Sequence, residues 1–140
     1  MSRAGPTVGV VLALLPRIIR RIRGQKPFRW VEVPEVTRGV KHADAAIIDV
    51  RGADEFVGPL GHIPGARNFP VGELPQRLPE LAVLHDQPVV LVCRTDKRSA
   101  NAAAMLHDAG FSDVRVLRGG MEQWNREGLG TEGRNAIIPA

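Results

Sequence analysis

The 140-residue chain predicts an α/β fold with a mainly parallel sheet and helices on both faces, on three observations. Ala45–Val50, Val89–Val92 and Val114–Leu117 are short, nearly all-apolar runs, as expected of strands buried on both faces in a parallel sheet. Segments of helical character separate these runs and provide the crossovers that parallel strands require. Each run also ends on a chemically marked loop: Asp49-Val50-Arg51, Cys93 to Arg98, and Arg118-Gly119-Gly120. In open sheets of this kind, ligands bind outside the carboxyl ends of the strands, so these three loops should share one edge.

The elements follow in order. Trp30-Val31-Glu32-Val33 reads as a short opening strand, and Pro34 to about His42 as a helix with proline near its first turn. Ala45–Val50 is a buried strand ending at a carboxylate. Gly52–Val57 reads as a short helix and Gly58-Pro59-Leu60-Gly61 as a turn. Ala66–Phe69 is a brief strand, and residues Glu73–Leu84 form a helix. Val89–Val92 is the central strand. The helix beyond it ends at Gly110, in the position of a left-handed cap. Val114–Leu117 is the last strand, Gly119-Gly120 a turn, and Met121–Glu127 a final helix. No internal repeat or low-complexity tract interrupts this order.

Length and composition describe one globular domain, with 44% hydrophobic and 24% charged residues. A single cysteine excludes an internal disulfide framework and argues against a cysteine-rich zinc site. His42, His85 and His107 have no metal-ligand spacing, so neither a metal nor a cofactor is expected. The net charge of +4 is unevenly distributed. Residues 1–29 hold seven basic residues and no acid, whereas the remainder holds 12 basic and 15 acidic residues, a net −3. A mildly acidic domain behind a basic arm is a poor nucleic-acid binder, and no nucleic-acid partner is expected.

Within the arm, Val8, Val11, Leu12, Leu15, Ile18, Ile19 and Ile22 follow the spacing of an amphipathic helix, interrupted by Pro16. The uncharged run Ala4–Leu15 is about 12 residues, short of the roughly 20 that span a bilayer. It also lacks a small-x-small cleavage site and is followed, not preceded, by arginines. Two readings stay open for residues 8–23: contact with an anionic membrane surface, or a structural role, in which the helix docks its apolar stripe on the domain or is simply an ill-ordered extension. The expected location is therefore cytoplasmic, with peripheral membrane attachment as the variant. Residues 131–140 carry no readable signal.

The chemistry centres on Cys93. A thiol between a buried strand and a helix N-terminus lies beside free backbone N–H groups, and these donors and the helix dipole favour a negatively charged sulfur and bind anions. Arg94, Lys97 and Arg98 add positive potential, with Arg98 expected nearest to a bound anion. With no second thiol in the chain, any persulfide formed at Cys93 must pass its sulfur to an external acceptor.

Asp49-Val50-Arg51, Gly61-His62-Ile63-Pro64-Gly65-Ala66, the Cys93–Arg98 loop with Ser99, and Leu117-Arg118-Gly119-Gly120 with Trp124 together resemble a single-domain rhodanese. The resemblance covers about residues 30–130, leaving 1–29 as arm and 131–140 as tail. It implies a rhodanese-like, five-stranded sheet and sulfurtransferase activity. A small anionic donor such as thiosulfate, or a persulfide, would load sulfane sulfur on Cys93, and a thiol or cyanide would accept it. Residues Arg94, Thr95, Asp96, Lys97, Arg98 and Ser99 would form the substrate-binding loop, with Asp49, Arg51, His62 and Gly119 in support. Many family members have glycine where this chain has Asp96, which can adopt a left-handed turn and would offset part of the positive charge. Phosphatases of related fold use Cys-x5-Arg. The Cys-x4-Arg spacing from Cys93 to Arg98 makes a smaller cradle, suited to sulfur. A membrane-recruited sulfur carrier or docking module with little turnover is the alternative function.

Overall fold

The computed structural model describes residues 26–42 and 45–133, so the expectations for the stripe at 8–23 and for most of the tail fall outside the described residues. Among these residues five strands and five α-helices alternate: β1 (Arg29–Val31), α1 (Val33–His42), β2 (Ala46–Asp49), α2 (Ala53–Phe56), β3 (Arg67–Asn68), α3 (Leu74–Leu81), β4 (Val89–Val92), α4 (Lys97–Asp108), β5 (Val114–Leu117) and α5 (Gly120–Arg126). Among the described residues the strands form one sheet in the order β1-β5-β4-β2-β3, and every pairing is parallel. The carboxyl ends of β2, β4 and β5 therefore lie along one edge.

Strand β4 sits at the centre and is buried throughout. Its side chains alternate with the period of two expected of a strand. Val89, Leu91 and Cys93 pack with Leu74 and Leu81 of α3 and with Ala102, Ala103 and Leu106 of α4. Val90 and Val92 pack on the opposite layer, with Val33 and Val36 of α1 and Met121 and Trp124 of α5. Small alanines on α4 let that helix lie close to the sheet, which brings its first turn to the end of β4.

Two boundaries differ from the sequence expectation for physical reasons. The opening strand ends at Val31 and Val33 already belongs to α1. Glu35 reaches back to accept the Glu32 N–H at 3.0 Å, while Glu35 N donates to the Glu32 carbonyl at 2.9 Å, and this reciprocal pair starts the helix early. The segment 73–84 is not one helix. A 3-10 turn at Val71–Glu73 leads into α3, and a second one at Ala82–Leu84 follows it. Pro79 lies inside α3 and has no N–H to donate to the preceding turn. Gly110, by contrast, has φ 96° and forms the left-handed stop expected after α4.

Candidate active site

Cys93 follows β4 directly and is 1% exposed. The Ser99 amide, in the first turn of α4, donates to its Sγ at 3.4 Å. The N–H groups of residues 94–98 have no acceptor among the described residues, so a short run of donors precedes and opens α4. The carbonyl side of the same loop is tied down: Met121 N donates to the Cys93 carbonyl at 2.9 Å and Glu122 N to the Arg94 carbonyl at 3.1 Å. Carbonyls engaged by α5 and amides left free are the polarity an anion-holding loop needs.

That approach of α5 depends on two glycines. Gly119 has φ 80° and Gly120 φ 53°, conformations that side-chain-bearing residues rarely adopt. A Cβ on Gly120 would collide with the Cys93 carbonyl and lie 2.6 Å from that of Thr95.

Asp96 does not use the left-handed conformation open to it. Its φ is −132°, and it sits before α4 with its Oδ1 accepting the Gly119 N–H at 2.8 Å. The side chain thus fastens the cysteine loop to the β5–α5 turn. The positive φ values lie across from it, in Gly119 and Gly120.

The two loop arginines are engaged by carboxylates. Arg98, the cation expected nearest to a bound anion, pairs its guanidinium with Glu55 of α2, with N–O distances of 2.6 and 3.0 Å. Glu55 Oε1 also accepts the Gly52 N–H at 3.0 Å. The Arg98 pairing is the main reason the Glu55 carboxyl is lowered from 4.5 to about 2, and Glu55 in turn raises Arg98. Arg94 is paired with Glu122 at 2.6 Å. Thr95 and Lys97 are exposed, and Lys97 has no ion-pair partner among the described residues.

Behind the loop lies a buried ionic anchor. Asp49, at 0% exposure, holds Arg51, at 1%. Arg51 Nε contacts both carboxylate oxygens, and Nη2 lies 2.8 Å from Oδ2. The remaining guanidinium donors reach the Gly61 carbonyl at 2.7 Å and the Glu55 carbonyl at 3.1 Å. Asn68 Nδ2 completes the end of β2 by donating to the carbonyls of Asp49 and Arg51. His62 stacks on Phe56 with ring centroids 3.5 Å apart, and its Nδ1 lies 2.7 Å from the Phe56 carbonyl. On its other side, His62 exchanges two backbone hydrogen bonds with Glu132, of 3.0 and 2.9 Å.

The fold therefore brings Cys93, Arg94–Ser99 and Gly119 together in one contiguous unit, with Asp49 and Arg51 linked to it through Glu55 and Arg98. His62 stands further back, as a joint between the α2 segment and residues 131–133. Sequence reasoning missed Glu55, Glu122, Asn68 and Glu132. Glu55 alone left a signal, three residues after Gly52 at a helix start. Among the described residues, no helix is long and apolar enough to cross a membrane.

Comparison with known proteins agrees with this architecture. A family model for the rhodanese-like domain matches residues 32–127. The YqhL protein of Bacillus subtilis is 44% identical over 80 residues, which cover 57% of this chain and 60% of that one, so the match spans less than two thirds of that relative. The thiosulfate sulfurtransferase GlpE of Stutzerimonas stutzeri is 36% identical over 91 residues, 65% of this chain and 80% of GlpE. The structure of the human single-domain sulfurtransferase TSTD1 superposes with a TM-score of 0.62 at 25% identity, covering 71% of this chain and 96% of that one.

Proposed function

The chain belongs to the rhodanese-like family, and we propose that its sulfurtransferase chemistry runs through a persulfide on Cys93. The observation that carries this reading is the Ser99 amide on Sγ together with the unpaired amides of residues 94–98. An amide-lined sulfur can attack a sulfur–sulfur bond while the same donors hold the anion that departs.

In the first half-reaction the Cys93 thiolate attacks the outer sulfur of the donor. With thiosulfate, a new S–S bond forms, the donor S–S bond breaks, and its electron pair leaves on sulfite. With a thiol persulfide, the electron pair leaves on the donor thiolate. In the second half-reaction an external thiolate or cyanide attacks the outer sulfur of the Cys93 persulfide. It departs as an acceptor persulfide or as thiocyanate, and the Cys93 thiolate is restored. The single cysteine makes the acceptor external, which gives a ping-pong cycle.

Each neighbour has a part in that cycle. Ser99 and residues Arg94–Arg98 supply main-chain donors, and Asp96 holds the loop against Gly119. Asp49 and Arg51 fix the neighbouring strand end. Residues 30–130 are the catalytic unit in this reading, extended by residues 131–133 where they close on His62. Steady-state sulfite release and thiocyanate formation from thiosulfate and cyanide test the proposal. Cys93→Ala should abolish both; a variant that retains wild-type turnover would remove Cys93 from the mechanism.

A further inference from the structure

Every arginine at the active edge is matched to a carboxylate. Arg98 is gripped by Glu55 at 2.6 and 3.0 Å. Arg94 is held by Glu122 at 2.6 Å. Arg118, at the end of β5 on the same edge, pairs with Glu32 at 2.9 Å. Lys97 follows Asp96 directly in the chain, and Asp96 spends an oxygen on the Gly119 amide. Three arginines thus face three carboxylates, while Lys97 and Asp96 cancel in the charge count without pairing, so the mouth around Cys93 carries no net charge despite its basic sequence. The pairs are half-open to solvent rather than sealed. The Arg98 and Glu55 side chains are 35% and 36% exposed, so their summed field reaches an approaching ligand.

We propose that Glu55 and Glu122 are specificity-determining residues, which cancel Arg98 and Arg94 and so select a thiol persulfide over the thiosulfate dianion. This rests on the sulfurtransferase reading above and concerns only which donor loads Cys93. The two donors differ in what they ask of the mouth. Thiosulfate enters with two negative charges and leaves as sulfite with two, whereas a cysteine persulfide carries a net single charge and its departing group is a thiolate. Coulomb energy scales with the product of the charges, so one carboxylate repels the dianion with twice the energy it exerts on the monoanion. The main-chain donors of residues 94–99 provide for either leaving group. The side-chain charge decides between them.

The loading step balances for the favoured donor. The donor enters as the monoanion R–S–S⁻ and takes a proton from water at the mouth; Cys93–S⁻ then attacks the outer sulfur of R–S–S–H, the donor S–S bond breaks with its electron pair on the inner sulfur, and Cys93–S–S–H and R–S⁻ result. No oxidant or reductant is consumed.

The test compares kcat/KM for thiosulfate and for cysteine persulfide in the full-length protein and in Glu55→Gln, Glu122→Gln and Glu55→Asp. Removing one carboxylate should raise thiosulfate kcat/KM about tenfold and cysteine persulfide kcat/KM only about threefold, the square-root relation between dianion and monoanion. Glu55→Asp retains the charge and should keep the wild-type donor ratio. Thiosulfate kcat/KM should be almost insensitive to added salt in the wild type and fall with salt in the two glutamine variants. An equal change for both donors, or none, would overturn the proposal. Glu122→Gln keeps the test decisive if Glu55→Gln folds poorly, since Glu122 lies at the surface and pairs with an exposed arginine. A persulfidated carrier protein, run beside cysteine persulfide, separates a protein-borne from a small-molecule source by the larger kcat/KM. Failure of the underlying reading looks different: Cys93 would then gain no sulfur from any donor.

Discussion

Arg51 and Asp49 form an ion pair from which water is excluded, with each side chain 1% exposed and Nη2 2.8 Å from Oδ2. Arg51 also bonds the carbonyls of Glu55 and Gly61, so one guanidinium ties the end of β2 to α2 and to the turn behind it. Such a pair specifies geometry more than it adds net stability, yet its halves cannot be separated cheaply.

Arg51→Ala is therefore expected to lower unfolding free energy by about 3–5 kcal/mol, because Asp49 is left buried and unpaired. Arg51→Lys should recover little of this, since an ammonium cannot reproduce the planar fork. Urea unfolding followed by tryptophan fluorescence checks both, and a loss under about 1 kcal/mol for Arg51→Ala would contradict the anchoring role.

Gly120→Ala should disable sulfur transfer while leaving the sheet in place. The added methyl collides with the Cys93 carbonyl, and the φ of 53° is strained for alanine. A stability loss of about 1–3 kcal/mol is expected, together with at least a tenfold loss of turnover as the cysteine loop shifts. Wild-type turnover in this variant would show that the close contact between α5 and the loop is dispensable.

The Glu55–Arg98 pair predicts a pH dependence with a definite sign. Glu55 is lowered from 4.5 to about 2, chiefly by Arg98, so the folded state favours the ionised carboxyl. Its contribution to stability is complete above about pH 4.5 and disappears as pH falls toward 2. Because the pair is more than a third exposed, solvent screening reduces the contribution to about 1 kcal/mol. Unfolding free energies of wild type and Glu55→Gln from urea titration should differ by that amount at pH 6 and converge near pH 2. A difference that persists at acid pH would assign the effect to packing rather than charge.

How far the sequence was legible follows from the range of the forces involved. Strands β4 and β5 fall where the apolar runs Val89–Val92 and Val114–Leu117 place them, because burial on both faces marks nearly every residue of a central strand. The cysteine loop, the left-handed Gly110 and the glycine pair that opens α5 were legible from local chemistry. What escaped depends on partners remote in sequence. Arg98 meets Glu55 across 43 positions and Arg94 meets Glu122 across 28, and no periodicity announces either. The basic loop consequently read as an electropositive mouth, whereas folding pairs its two arginines with carboxylates. The residues after Gly130 looked featureless for the same reason, since Glu132 acts through backbone hydrogen bonds that its side chain does not advertise.

Truncation after Gly130 is expected to loosen the α2 segment. It removes the two hydrogen bonds between His62 and Glu132 while leaving the Gly130 carbonyl to accept Trp124 Nε1 at 3.0 Å. The loss should be about 1–2 kcal/mol, with faster amide exchange around residues 56–62. Unchanged exchange there would mean that residues 131–133 rest on the domain without bracing it.

The most direct test of the central claim is the mass of the Cys93-containing peptide after brief exposure to a sulfur donor, and again after addition of a thiol. The account predicts that this peptide gains one sulfur atom and loses it to the thiol at the rate of turnover. Turnover with no added sulfur on Cys93, or a sulfur that the thiol cannot remove, would contradict it.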